Sequence, residues 1–286
     1  MLWYNEYMKI EANELTIKSD RNYNYLYNFS YNFCDGVYFL LANDYMPTVL
    51  FDCLSGINNN YLGDIKINGT DRKKLENQNL KISYLKKVPV LLENKSVLEN
   101  LYYLKKIHNE QVNKDFIDIS YVYLKEFGLD KLAKTKVKKL SSEQKFALCL
   151  VRSLLKNSNI VLIEEIENLQ TFQKFLSLWR MHCLGAGEQS GGVVVVKMTP
   201  NFGYFNDCKV LKFCFGSCLG ELCFKDEMKN PTDYFSYFYA KNALKFDFKN
   251  STYNKTIELP NANEGEDFFI VDGFKFDALT GMRIVD

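Results

Sequence analysis

Residues 141–165 have the pattern of an amphipathic helix followed directly by a fully apolar strand. Ser141 is a typical N-cap residue, and apolar side chains recur at helical spacing from Glu143 to Leu155. The segment 159–165 then carries a short apolar run that ends in two carboxylates. A strand that is apolar on both faces is typical of a parallel sheet covered by helices. The pattern therefore predicts an α/β fold with a parallel sheet at its core.

Secondary-structure signals elsewhere in the chain agree with this fold class. Residues 7–40 alternate apolar and polar side chains, which is the pattern of antiparallel strands ending in a buried one. Turn and capping signals then predict helices at 48–56, 96–107, 114–133 and 170–183, and strands at 63–71, 81–91 and 193–198.

After about residue 225 the sequence becomes rich in aromatic side chains. Its last residues have the pattern of a hairpin, with turns at Asp272-Gly273 and Thr280-Gly281. We therefore expect one domain over residues 1–225, with a helical subdomain at about 85–140. The residues 226–286 are expected to form a C-terminal extension of aromatic and β character.

The charge balance of the chain excludes a strongly basic or acidic protein. Lys and Arg number 36 against 35 Asp and Glu, for a formal net charge of +1. No global field therefore attracts nucleic acid or anionic lipid. No apolar run approaches the roughly 20 residues that span a bilayer, and the N-terminal residues lack the order of a signal peptide. We expect a cytoplasmic protein whose link to a membrane runs through a partner.

Four of the eight cysteines are closely spaced, which raises the question of a metal site. Cys208, Cys214, Cys218 and Cys223 are separated by three to five residues, and no His lies near them. Common zinc sites have paired knuckles with shorter spacing. We therefore interpret these cysteines as reduced residues of buried strands and predict no metal.

The segment Leu140-Ser141-Ser142-Glu143-Gln144, just before a strand with two acids, resembles the signature motif of ABC-transporter ATPase domains. The order of elements over roughly residues 7–225 is similar to that family. The resemblance implies an α/β, P-loop NTPase-like ABC ATPase fold with an N-terminal antiparallel β-subdomain and a helical insert. In the family this helix N-terminus contacts the γ-phosphate of ATP held by the opposite subunit. Ser142 and Glu143 replace the two glycines of the motif, and Glu143 would place a carboxylate near the phosphate.

The strand that ends at Glu164 and Glu165 resembles the Walker B motif. In that family the first acid binds Mg²⁺, often through water, and the second polarises the attacking water. Glu164 stands where Asp is usual, whereas Glu165 matches the catalytic position. The alternative interpretation is that both are solvated acids at the end of a strand.

The stretch from Leu41 to Thr48 corresponds to the phosphate-binding Walker A loop. That loop needs glycines to turn its N–H groups inward, a Lys to neutralise phosphate charge and a hydroxyl for Mg²⁺. Here the glycines are absent, and Pro47 occupies the Lys position, which removes both the cation and an N–H group. Asp44 and Tyr45 add negative charge and bulk. Of the family's residues only Thr48 remains, although the strand and helix signals on both sides are intact.

Other nucleotide-contacting segments of the family are also altered. Lys87 stands where the family has a Gln, and Thr199 stands where it has the His that senses the γ-phosphate. Residues 168–171 lack the usual Leu-Asp ending of the next motif. The two His residues, His108 and His182, lie elsewhere, and we interpret both as incidental.

The resemblance and the altered motifs together favour a degenerate, non-hydrolysing ABC ATPase-like subunit with a structural or regulatory role and no bound cofactor. Such a subunit would pair with an ABC ATPase homologue or with itself. It would dock on membrane-spanning permease subunits, at the inner face of the membrane, through about residues 85–135. The family positions at stake are Thr48, Lys87, Ser141, Gln144, Glu164, Glu165 and Thr199.

Two alternatives stay open at this point. One is a nucleotide-independent protein-binding scaffold unrelated to transport, with residues 226–286 as its working surface. The other is an ATP-binding ABC transporter ATPase with a rearranged site, in which Thr48, Glu164 and Glu165 would hold ATP and Mg²⁺.

Overall fold

The computed structural model of the chain describes residues 8–18, 24–42, 46–75, 81–107, 110–185, 191–197, 208–214, 217–223, 268–271, 274–277 and 283–284. The chain divides into two compact units. We call residues 1–8 and 78–194 the helical unit, and residues 9–77 and 195–286 the strand unit.

The strand unit begins with an antiparallel sheet, as the alternating pattern predicts. Its first elements are strands β1 (Ile10–Lys18), β2 (Asn24–Phe33) and β3 (Gly36–Leu41), helix α1 (Met46–Ser55), and strands β4 (Leu62–Ile67) and β5 (Thr70–Asp71). Four of these strands form one sheet in the order β2-β1-β4-β5. The turn between β4 and β5 is Asn68-Gly69, with φ angles of 48° and 76°, as expected for an Asn-Gly hairpin turn.

Helix α1 follows β3 and is held at its end by a buried arginine. Arg72, which begins a short 3-10 turn over Arg72–Lys74, is 2% exposed. Its Nε donates to the carbonyl of Leu54 at 3.0 Å, and its other nitrogens donate to the carbonyls of Ser55 and Leu75. The Leu54 and Ser55 carbonyls are orphan carbonyls of a helix end, for which a cation is a favourable partner. Gly56 has a φ of +78°, and a Cβ there would lie 1.7 Å from Arg72 Nη2, so this position requires glycine.

The helical unit contains most of the helices and one part of the parallel sheet. Helix α4 contacts α2, α3, α5 and β6, and the four residues of β7 are all buried. Strands β6 and β7 pair in parallel, which confirms the predicted α/β class. The elements are β6 (Ile82–Leu85), α2 (Val97–Ile107), α3 (Lys114–Glu126), 3-10 turns at Asp130–Leu132 and Val137–Lys139, α4 (Ser142–Leu155), β7 (Ile160–Ile163), α5 (Leu169–Gly185) and the beginning of β8 (Val193–Lys197).

Two elements of the helical unit are shorter than predicted. The strand expected over 81–91 ends at Leu85, because the N–H group of Lys87 donates to a side chain, Glu164 Oε2, at 2.7 Å instead of continuing the ladder. The helix expected over 114–133 ends at Glu126, two residues before Gly128, whose φ is +67°. A glycine with positive φ just beyond a helix is a common way for the helix to stop.

The remaining strands of the strand unit are β9 (Cys208–Cys214), β10 (Ser217–Cys223), β11 (Phe268–Val271), β12 (Phe274–Asp277) and β13 (Arg283–Ile284). β3 pairs in parallel with β9, which pairs antiparallel with β10. The order β11-β12-β13 is antiparallel, so the strands of the predicted C-terminal hairpin form. The predicted turns at 272–273 and 280–281 lie outside the described residues, and the domain boundary at 225/226 stays a prediction.

The four closely spaced cysteines lie on two paired strands. Cys208 and Cys214 are the first and last residues of β9, and Cys218 and Cys223 lie on β10. Across the part of the chain that the structure describes, no three His, Cys, Asp or Glu side chains are grouped so as to hold a metal ion.

Candidate functional site

Glu164 follows β7 directly and is buried, with 9% of its surface exposed. Its Oε1 accepts a hydrogen bond from the Tyr84 hydroxyl, and its Oε2 accepts one from the Lys87 backbone N–H at 2.7 Å. The N–H group of Glu164 donates to the Leu85 carbonyl at 3.0 Å. Burial of an ionised carboxylate is costly unless its oxygens are hydrogen-bonded. Both oxygens are, so Glu164 ties the end of β7 to the segment that follows β6.

Glu165, the next residue, has a different environment. Its Oε2 lies 3.2 Å from Lys87 Nζ, and 33% of the Glu165 side chain and 72% of the Lys87 side chain are exposed. An ion pair this open to water contributes little to stability. Lys87 therefore contacts both acids, Glu164 through its backbone and Glu165 through its side chain. We call Tyr84, Lys87, Glu164 and Glu165 the acid-end cluster.

The predicted signature segment forms the N-terminus of α4. The Ser141 hydroxyl accepts from the Gln144 N–H at 3.2 Å, and Gln144 Oε1 accepts from the Ser141 N–H at 3.0 Å. This reciprocal pair is a capping box. Glu143 is exposed in the first turn, where the helix dipole favours a carboxylate. The Ser141 and Gln144 side chains thus bind their own helix end, and the carboxylate adds the charge that an anionic ligand would otherwise bring.

The residues that correspond to the Walker A loop lie in the strand unit, and only its end is described. Met46 and Pro47 are buried and form the start of α1, and Thr48 follows them at intermediate exposure. Proline is tolerated in the first turn of a helix, because the N–H groups there have no acceptor within the helix. Thr48 is the third residue of α1, and its role as a nucleotide-binding position stays a prediction. Asp44 and Tyr45 lie outside the described residues.

Four further residues that the sequence analysis named remain to be placed. Asn168 caps α5, because its Oδ1 accepts from the Thr171 N–H at 2.9 Å. His182 lies in α5. Thr199 and His108 lie outside the described residues.

The structure brings Glu164, Glu165 and Lys87 together and adds a residue that the sequence analysis missed. Tyr84 lies in β6 opposite Leu162 of β7, and its hydroxyl reaches the carboxylate two residues beyond Leu162. In principle the sequence could have indicated Tyr84. Parallel pairing of two apolar strands sets Tyr84 close to the acids if their register is known.

The residues of the acid-end cluster do not fit a magnesium ion well. A magnesium ligand is usually a carboxylate or hydroxyl oxygen that the ion can reach within an octahedral shell. Here each Glu164 oxygen already accepts a hydrogen bond inside the protein. Each of these oxygens keeps one further lone pair for a cation, but the Lys87 ammonium, which pairs with the neighbouring Glu165, would repel that cation.

Comparison with known proteins identifies the fold and the family of this region. Residues 48–168 match the family described as ABC transporter. The phosphonates import ATP-binding protein PhnC of Fusobacterium nucleatum is 29% identical over 131 residues, which cover 41% of this chain and 53% of that protein. The molybdate/tungstate import ATP-binding protein WtpC of Methanocaldococcus jannaschii is 28% identical over 179 residues, which cover 58% of this chain and 60% of that protein. The chain thus spans a little over half the length of these curated relatives.

Two solved structures resemble the fold at 14% sequence identity. One, of a bacterial Atm1-family ABC exporter with ATP bound, has a TM-score of 0.63 and covers 80% of this chain and 41% of the exporter chain. The other, of a nucleotide-free ATP-binding cassette from an ABC transporter, has a TM-score of 0.58 and covers 75% of this chain and 90% of the cassette. At this identity the likeness concerns the fold alone. Among the residues described, no helix has the length and hydropathy needed to cross a membrane.

Proposed function

This chain carries an ABC transporter nucleotide-binding domain, and from that premise we propose that it is a non-hydrolysing subunit with a structural or regulatory role in an ABC transporter assembly. Its fold is that of ABC ATPase domains.

The observation that carries the proposal is the state of Glu164. The acid that stands at the magnesium position is buried, and its two oxygens are held by Tyr84 and by the Lys87 backbone. Hydrolysis of ATP in this class of enzyme relies on metal and cationic groups that neutralise charge on the transferring phosphoryl group. A carboxylate committed to protein hydrogen bonds is a poor starting point for that chemistry.

Pro47 supports the same conclusion from the strand unit. It occupies the position of the phosphate-binding Lys and is buried at the start of α1. A proline supplies neither the ammonium group nor the backbone N–H that a phosphate-binding loop uses. The two units have therefore each lost a different part of the nucleotide chemistry.

The helical unit offers a surface for partners. Eleven large hydrophobic side chains are exposed among the described residues, and eight of them lie between Val88 and Val122. Val88 and Val90, in the segment after β6, are 78% and 76% exposed. Clustered exposed apolar side chains mark interaction sites. This region coincides with the docking surface expected at about residues 85–135, so we propose that membrane-spanning permease subunits bind here.

The loss of nucleotide chemistry can be tested on the purified chain. Titration with ATP and Mg²⁺ in a calorimeter is expected to give no binding in the micromolar range, and phosphate release is expected to stay at the buffer rate. The variant Glu165→Gln, which removes the acid at the catalytic position, is expected to leave that rate unchanged. Micromolar binding together with hydrolysis that Glu165→Gln abolishes would contradict the proposal and support the rearranged-site alternative.

The docking surface can be tested by co-purification from the native host. The tagged chain is expected to bring down a membrane-spanning subunit and an intact ABC ATPase homologue. The double variant Val88→Glu/Val90→Glu is expected to lose the membrane subunit, because burial of two carboxylates at an interface is costly. Ile57→Glu, a matched control on an exposed apolar residue of the strand unit, is expected to retain it.

The protein-binding scaffold remains the alternative, and the C-terminal strands β11, β12 and β13 favour it because they form a sheet of their own. Deletion of residues 226–286 separates the two functions. Loss of every partner on deletion, with Val88→Glu/Val90→Glu still competent, would favour the scaffold over the transporter subunit.

A further inference from the structure

The helical unit contains a cavity of about 550 Å³. It is lined by β6 and the segment that follows it, by the ends of α2, by the start of α3 and by the last turns of α4. Its volume falls in the range of small-molecule sites, about 300–1,000 Å³. Tyr84 of the acid-end cluster also lines this cavity, whereas Lys87, Glu164 and Glu165 do not. The cavity thus adjoins the site described above but does not contain its acids.

The charged side chains around this cavity are mostly cations. Five of them are Lys or Arg and a single one, Glu110, is an acid. Glu110 forms an ion pair with Lys105, so its charge is compensated locally. The four other cations that line the cavity are Lys81, Lys86, Arg152 and Lys156.

The positive charge of the cavity is centred on Arg152 and Lys156. They are four residues apart at the end of α4, where two like charges on one helix face repel each other. Each binds a backbone carbonyl: Arg152 Nη1 donates to Val90 at 2.8 Å, and Lys156 Nζ donates to Ile82 at 2.5 Å. Burial, and then the charge of Arg152, lower the pKa of Lys156.

One N–H group of Arg152 lacks a hydrogen-bond acceptor in the part of the chain that the structure describes. Arg152 Nε is buried and has no hydrogen-bond partner among the described residues. A buried N–H group without an acceptor costs about 1–3 kcal/mol. The negative end of the α4 dipole explains why cations are favourable in its last turn, but it does not supply an acceptor for this N–H group.

Part of the remaining cavity wall is apolar. Val90, Leu104, Ile107 and Phe116 lie along it, and Ile107 is 55% exposed. Ligand pockets typically combine an apolar wall with a few convergent polar groups that fix orientation. The cations and the apolar side chains of this cavity therefore suit a ligand that has both an anionic group and an apolar body.

We propose that this cavity is a binding site for a small organic anion, whose carboxylate or phosphate group is bound by Arg152 and Lys156 and whose apolar body lies against Val90, Leu104 and Phe116. The anion would supply a negative charge that offsets the repulsion between the two cations. Val90 also belongs to the surface that we propose for permease subunits, but the anion site itself rests on the cavity and the cations of the helical unit.

The experiment uses 1-naphthyl phosphate as probe on the full chain, with inorganic phosphate and 1-naphthol as the two half-ligands. Calorimetry is expected to give a dissociation constant below about 1 mM for the probe and weaker binding of each half-ligand. Lys156→Gln is expected to weaken probe binding about tenfold, the equivalent of one hydrogen bond to a charged group. Lys81→Gln, which removes an exposed cation from the rim, is expected to weaken it about twofold. Lys125→Gln, an exposed cation of α3 outside the cavity, is the matched control and is expected to have no effect.

Two results would overturn the proposal. The first is no detectable binding of the probe, or binding that is equal in wild type, Lys156→Gln and Lys81→Gln. The second is binding of inorganic phosphate as tight as that of the probe, since the apolar wall would then contribute nothing. Circular dichroism of each variant checks that the chain is folded. If Lys156→Gln is not folded, Lys81→Gln keeps the test decisive.

Discussion

Each unit of the molecule buries one charged side chain among its described residues, Arg72 in the strand unit and Glu164 in the helical unit. Arg72 binds three backbone carbonyls, two of them at the end of α1. Glu164 binds a tyrosine hydroxyl and a backbone N–H.

The similarity of these two environments is informative because the residues stand at positions of different kinds. Arg72 lies at no motif of the family, and its role is to hold the end of a helix. Glu164 stands where ABC ATPases place an acid for magnesium, yet its hydrogen bonds resemble those of Arg72. A buried charged side chain that hydrogen-bonds to two segments of the chain holds those segments together. Glu164 therefore serves to hold two segments together, as Arg72 does.

The largest expected effect is at Arg72, which makes the most hydrogen bonds. Arg72→Met keeps the length of the side chain and removes every donor, so the carbonyls of Leu54, Ser55 and Leu75 lose their partner. We expect the free energy of unfolding to fall by about 3 kcal/mol, measured by urea denaturation. Lys74→Met, an exposed residue of the same 3-10 turn, is the control and should change stability by less than about 0.5 kcal/mol. Equal effects of the two variants would mean that the hydrogen bonds of Arg72 do not stabilise the fold.

Glu164 comes next and tests the comparison directly. Glu164→Ala leaves the Tyr84 hydroxyl and the Lys87 N–H without their acceptor, and we expect a loss of about 2–3 kcal/mol. Glu165→Ala removes a neighbouring acid that is one third exposed and should cost less than about 1 kcal/mol. Thermal unfolding of the two variants side by side gives the difference. If Glu165→Ala were the more destabilising of the two, Glu164 would not hold the structure as Arg72 does.

Tyr84→Phe is the third variant, and it removes a single hydroxyl. The ring stays in β6, but Glu164 Oε1 loses its hydrogen bond, so we expect a loss of about 1–2 kcal/mol. The double variant Tyr84→Phe/Glu164→Ala should lose less than the sum of the two single variants, because both remove the same bond. Additive losses in this cycle would mean that the hydrogen bond contributes nothing to stability.

The particular residues show what the sequence could and could not predict. The capping boxes at Ser96-Glu99 and Ser141-Gln144 were predictable because every partner lies within three residues. The helix and strand at 142–163 were predictable because their hydrophobic periods are strong. The hydrogen bonds of Glu164 were not, since Tyr84 and Lys87 lie 80 and 77 residues away along the chain. A motif can place an acid at the end of a strand, but only the register of β6 against β7 determines what its oxygens bind.

The smallest effect is expected at Lys87, and it separates the two ways in which this residue contacts the acids. Lys87→Ala removes the ammonium group that pairs with Glu165 but keeps the backbone N–H that binds Glu164. We expect a loss of less than about 0.5 kcal/mol, since the pair is exposed, and the loss should vanish in 1 M salt because screening there acts within about 3 Å. Lys87→Pro removes the N–H as well, and should cost at least about 1 kcal/mol more in both low and high salt. A salt-independent loss of 2 kcal/mol in Lys87→Ala would place the contribution of Lys87 in its side chain, and the likeness between Glu164 and Arg72 would then rest on Tyr84 alone.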